Sequence, residues 1–176
     1  MSALPVPEFS RPLKVDQIGR LAGMQHIEAD ADERAALMRR FSLLALDQLA
    51  ADYAISEDNG AIVARGRISA TLSQPCVATG LPVPETIDSD FLLRFIVEGS
   101  DVTDGDELEL DAEDCDTIGY DGQSIDMGEA VAETMALVMA PYPRSPDADA
   151  YLKEVGVLKE DQTGPFAALL ALKNKP

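Results

Sequence analysis

The sequence predicts an α+β domain built on an antiparallel β-sheet, open or curled towards a barrel, with a few helices packed on it. Two runs of strict alternation and two stretches of helical period carry that reading. Ile62, Ala64, Gly66, Ile68, Ala70 and Leu72 fall on one face of a strand, and Arg65, Arg67, Ser69, Thr71 and Ser73 on the other. Ile87, Phe91, Leu93, Phe95 and Val97 alternate in the same way with Asp88, Asp90 and Arg94. Period two over such lengths is the mark of a strand buried on one side. Apolar residues near 31–41 and 127–139 recur at helical spacing and supply the cover for that buried side.

Taken in order, residues 1–14 carry Pro5, Pro7 and Pro12 and form an extended lead-in, with a short strand near Leu13 to Ile18. Asp30 or Asp32 caps the first helix, with Glu33 placed to favour its N-terminal dipole. Leu37, Phe41 and Leu44 mark its apolar face, while Arg34, Arg39 and Arg40 lie on the exposed side. Tyr53 and Ile55 begin an alternation that reaches Asp58-Asn59-Gly60, and Asn-Gly suits a tight hairpin turn. Pro75, Gly80, Pro82 and Pro84 punctuate the connection to the second alternating strand. Residues 99–115 read as a mobile acidic loop, because like charges repel and few apolar groups anchor them. Ile118, Tyr120 and Ile125 around Asp121-Gly122 suggest a short hairpin closing the sheet. Asp126 and Glu129 have the spacing of a capping box, and Met127, Val131, Met135 and Val138 line one side of the helix that follows. Residues 144–164 read as flexible, before a last short helix through Ala167, Leu169, Leu170 and Leu172. The whole, residues 1–176, fits one domain.

The charge is distinctive. Thirty-two acids against fourteen Lys and Arg leave a net −18 at neutral pH. Such a field repels phosphate backbones and favours basic partners, although acidity also serves solubility alone. Between Phe95 and Pro143 there is no Lys or Arg. No run is long and apolar enough to cross a membrane, and the N-terminus lacks the basic-then-apolar order of a secretory signal. With two cysteines, Cys76 and Cys115, there is no disulfide framework. The expected compartment is the cytoplasm.

Catalytic and metal signatures are missing from the residues themselves. A single histidine, His26, excludes any site that needs two. Cys76 has no local base, and Cys76 with Cys115 cannot complete a four-ligand zinc site. The acidic run fails the calcium-loop pattern. From Asp101, Gly105 falls at position 5 and Ala112 at position 12; from Asp111, Cys115 takes position 5. No Gly-rich phosphate loop and no nucleophile elbow is present. The expectation is a non-enzymatic protein without cofactor or metal.

Five stretches together resemble the YceD-like family, in its short alphaproteobacterial form. They are Phe9 to Ile18, Ala64 to Ile87, Phe91 to Phe95, Ser124 to Ala148 and Gly164 to Lys173. Many relatives carry Cys-x-x-Cys where this chain has Cys76-Val77-Ala78-Thr79, and some add a second pair after the penultimate helix. Here Thr79 stands at the second position and no cysteine follows Tyr142, so a zinc site is not carried over. The resemblance implies a role in accumulation of large-subunit ribosomal RNA, through synthesis, processing or assembly, and supplies no catalytic residues.

Two routes to that role follow from the charge. In the favoured one, a basic ribosomal protein or pre-ribosomal particle of the large subunit is the partner, contacted by acids such as Asp104, Asp106, Glu109 and Asp111. In the other, Arg65, Arg67 and Arg94, joined by Arg34, Arg39 and Arg40, form a positive face for ribosomal RNA. A third reading is an acidic interaction module unrelated to ribosomes.

Overall fold

A computed structural model describes residues 7–58, 60–99 and 116–157. The described residues form two compact units, one within 1–74 and 84–140, the other within 75–83 and 141–157.

The larger unit opens with strand β1 (Pro12–Lys14), the short helix α1 (Val15–Ile18) and strand β2 (Gln25–Glu28). The strand expected near 13–18 is therefore shorter, and the chain turns helical at Val15. Helix α2 (Ala31–Phe41) starts where the sequence places it. Asp30 accepts from the Glu33 amide at 2.9 Å and the Glu33 carboxylate accepts from the Asp30 amide at 2.8 Å, a complete capping box. The helix stops at Ser42, which is left-handed at φ 55°, so Leu44 leaves the expected apolar face and is exposed.

Strands β3 (Ala45–Asp58) and β4 (Ala61–Pro75) form a long antiparallel hairpin closed by the Asp58–Ala61 pair, with Gly60 at φ +80° in the connection. That positive φ is the conformation Gly adopts without cost. With β5 (Pro82–Val97) and β6 (Asp116–Tyr120) the order across the sheet is β2-β3-β4-β5-β6. Strands β2 and β3 pair antiparallel, but β6 runs parallel to β5. The expected hairpin around Asp121-Gly122 does not form. Strand β7 (Ser124–Asp126) instead pairs with β1 in a separate two-stranded sheet. Alternation in Ile118, Tyr120 and Ile125 signals strands without naming their neighbours, and the sequence between Val97 and Asp116 is long enough for the crossover parallel neighbours require. Among the described residues the sheet is open rather than closed into a barrel.

Helix α3 (Met127–Val138) and α2 contribute to one core with the sheet. Leu37, Met127, Val131 and Met135 are fully buried among Leu49, Tyr53, Ile68, Leu72, Leu93 and Phe95. Each such side chain contributes about 1.5–3 kcal/mol on burial. The apolar strand faces point into this core, and the polar faces point to solvent. In the smaller unit, helix α4 (Ala148–Glu154) occupies part of the stretch expected to be flexible. The acidic loop at 99–115 and the final helix beyond 164 lie outside the described residues, apart from Gly99.

One carboxylate joins the lead-in to α3. Asp126 Oδ1 accepts from the amides of Arg11 at 2.7 Å, Gly128 at 3.0 Å and Glu129 at 3.2 Å, and Oδ2 accepts from the Ser10 hydroxyl at 2.6 Å. A Cβ at Gly128 would stand 2.3 Å from the Phe9 carbonyl oxygen, so only glycine allows this approach. Asp126→Ala is expected to cost about 2 kcal/mol, through the lost cap and the orphaned donors. Gly128→Ala, which in an open helix would stabilise by about 1 kcal/mol, is expected to destabilise here by about 1–3 kcal/mol through overpacking. Urea denaturation of both variants checks this, and a Gly128→Ala variant more stable than the parent would contradict it.

Candidate functional site: the charged surface

The residues that could meet a partner are distributed by strand period and helix register. Arg65 and Arg67 on β4 and Arg94 on β5 lie on the sheet face opposite the core, as the alternation predicts. Arg34, Arg39 and Arg40 lie on α2, which packs against the apolar face of that sheet through Leu37. The two sets are thus on opposite sides of the sheet, and the fold does not bring them together.

Three of these six arginines are also engaged by carboxylates or carbonyls. Arg67 bonds Asp88 through Nε at 2.5 Å and Asp90 through a terminal nitrogen at 2.8 Å. Asp52 stands directly opposite it on β3, and His26 on β2 stands opposite Asp52, with His26 Nδ1 2.8 Å from its carboxylate. A row of paired polar side chains, His26, Asp52, Arg67 and Asp88, therefore crosses the solvent face. Together with Glu28, the acids Asp52, Asp88 and Asp90 outnumber the arginines of that face. Arg65 and Arg94 make no ion pair among the described residues. On α2, Arg40 grips Glu129 of α3 in a two-pronged bond, 2.7 and 2.9 Å, and reaches Glu8 at 3.0 Å. The guanidinium is held firmly protonated by these partners. Arg34 donates to the Ala29 carbonyl at 2.6 Å, and Arg39 is exposed.

The sequence reading missed these neutralising partners. Strand period places Asp88 and Asp90 on the same face as Arg67, and that was the available signal. Glu8 and Glu129 lie far from Arg40 in the chain and gave none. The candidate acids Asp104, Asp106, Glu109 and Asp111 lie outside the described residues. Of the described acids in the Lys- and Arg-free stretch, Asp126 is committed to its cap and Glu129 to Arg40. Asp121 turns its own loop by accepting from the amides of Gln123 at 2.8 Å and Ser124 at 3.2 Å. Those amides hold its carboxyl below the usual carboxylate range. Glu133 is half exposed and stands 3.9 Å from Arg40.

In the smaller unit Cys76 is buried, and its sulfur accepts the Ser145 amide at 3.3 Å. Thr79 Oγ1 lies 3.3 Å from the Ser145 hydroxyl. Hydrogen bonds from Ser145 and then Thr79 lower the Cys76 thiol to about 6, against the opposing effect of its burial. Two hydroxyls and an amide thus surround the sulfur, a poor set for zinc, which prefers thiolate and imidazole. Among the described residues no group of three or more His, Cys, Asp or Glu is placed to hold a metal ion. None of the described helices is long and apolar enough to cross a membrane.

An acidic chain that commits Arg34, Arg40 and Arg67 to internal partners and shows no metal cluster among the described residues is a candidate interaction protein. Residues 64–173, more than half the chain, match the family described as large ribosomal RNA subunit accumulation protein YceD. The chain belongs to that family. The matched stretch takes in Arg65, Arg67, Arg94 and the whole Lys- and Arg-free segment, and leaves out α2 with its three arginines. No match was found among curated proteins or among solved structures.

A pH dependence follows from the pair that fastens the lead-in to α2. Arg11 bonds both oxygens of Glu33, at 2.6 and 2.9 Å, and holds that carboxyl below its ordinary range. A carboxyl with a folded pKa below its unfolded one adds stability above the unfolded pKa, and loses it as pH falls through the folded value. Arg11→Met is therefore expected to lose less stability than the parent between about pH 5 and pH 3. Denaturant titrations across that range test it, and parallel curves for the two proteins would refute it.

Proposed function

We propose that this protein is a non-enzymatic factor in the accumulation of large-subunit ribosomal RNA, acting through a basic protein of the large subunit. Family membership supports the process. The observation that supports the route is the neutralisation of Arg67 and Arg40 by Asp88, Asp90, Glu8 and Glu129. Binding to phosphates requires cations free to displace counterions. Here the strand arginines share their face with a larger number of acids, the helix arginines are on the other side, and the whole molecule carries −18. A basic partner meets the opposite situation, since the long-range field draws it in.

The test compares two sets of substitutions in the full chain. Reversing Asp104, Asp106, Glu109 and Asp111 to Lys is expected to weaken association with large-subunit ribosomal proteins by about tenfold or more. Replacing Arg65, Arg67 and Arg94 with Ala is expected to change it by less than about threefold, as exposed pairs contribute little. Association should survive RNase and weaken with rising salt, because screening acts within about 10 Å at 0.1 M. Direct RNA binding predicts the reverse ranking and loss on RNase treatment. No change in either variant would leave the acidic module without ribosomal role as the better reading.

A further inference from the structure

A cleft of about 270 Å³ opens in the larger unit beside β6, the Asp121 turn and the first half of α3. Its floor is apolar. Phe95, Ile125 and Ala130 there are each no more than 3% exposed, and Tyr120 adds a half-buried ring. Its rim is anionic, with exposed Asp121 and Glu133 flanking Ile125 and Ala130 in sequence and no Lys or Arg in the lining. Arg40 stands beside the rim, bonded to Glu129 and Glu8 and 3.9 Å from Glu133, so it neutralises Glu133 only loosely.

We infer that this cleft is the docking point for an arginine-bearing apolar segment of a basic protein partner, an inference that rests on the function proposed above. The long stem of an arginine covers apolar surface while its head stays polar. Laid along the partly exposed Ile118 and Tyr120 over that floor, the stem buries its methylenes, and the planar guanidinium then meets a rim carboxylate in the geometry it matches best. The volume suits this occupant. It lies below the roughly 300–1,000 Å³ of small-molecule sites and fits an anchoring side chain with an apolar neighbour. Charge opposes the other macromolecules: a phosphate chain would face the carboxylates of Asp121 and Glu133, and a second copy of this chain would bring a further −18.

The test uses the full chain and an eight-residue peptide of alternating leucine and arginine, with blocked ends, followed by fluorescence anisotropy at about 0.1 M salt. Asp121→Asn with Glu133→Lys makes the rim more positive by three charges, and Asp47→Asn with Glu57→Lys does the same on β3, at the far side of the sheet order. The rim pair is expected to weaken peptide binding about tenfold, and the β3 pair less than about twofold. Glu133→Gln alone, which keeps the side chain's size, is expected to give an intermediate loss. Circular dichroism melts establish that each variant is folded. Equal weakening by both pairs would show that only the overall field matters and would overturn the proposal, as would no weakening by either. Displacement of the peptide by an RNA octamer would overturn the stated chemistry of the occupant. If the rim pair leaves both peptide binding and RNase-resistant ribosomal association intact, the cleft assignment alone fails. If the peptide prefers the cleft while ribosomal association disappears with RNase, the cleft assignment holds and the protein-partner reading fails.

Discussion

The larger unit depends on the hydrogen bonding of the Asp126 carboxylate. A sheet with one apolar face has to be covered, and the cover must be held at a fixed height and angle. Asp126 does this by ending β7, capping α3 and gripping the Ser10–Arg11 segment with the same two oxygens. Gly128 permits the close approach by lacking a Cβ. Phe9 is then fully buried, and Arg11, stacked 4.6 Å above its ring, turns outward to Glu33. Thus the capping box of α2, the cap of α3 and the proline-rich lead-in form one connected polar network around the helical cover.

Charge is managed with the same economy of partners. The chain has few cations, and the fold places several of them between acids that would otherwise repel. Arg40 stands between Glu8 and Glu129, Arg67 between Asp88 and Asp90, and Arg11 against Glu33. Exposed pairs of this kind add little to stability individually. Their larger consequence is for recognition. A guanidinium already bonded to two carboxylates attracts a phosphate weakly, so Arg40 and Arg67 add little to any positive face. The cleft beside α3 concentrates that character, with carboxylates above an apolar floor.

Much of the architecture was legible in the sequence because it depends on local period and local chemistry. Alternation in β4 and β5 fixed which face is buried, Asn59-Gly60 marked the hairpin, and Asp30 with Glu33 marked the start of α2. Asp126 as a helix cap was also readable, although its reciprocal partner was not: Glu129 turns to Arg40 instead of closing the capping box. Ser42, left-handed, ends α2 at Phe41 as the expected range of 31–41 has it, so Leu44, which continues the apolar spacing, lies beyond the helix.

By itself, then, the sequence determined the long strands β4 and β5, the helices α2 and α3, the side of the sheet that faces the core and the excess of acid. The tertiary structure alone decided which strands are neighbours, so that β6 joins β5 in parallel and β7 crosses to β1. It alone decided which acid answers which arginine, and that the six candidate arginines divide between the two sides of the sheet. The physical reason is distance along the chain. Periodicity and capping are set by residues within a few positions of one another, whereas strand order and ion pairs such as Arg40–Glu129 join residues that meet only when the core has closed around them.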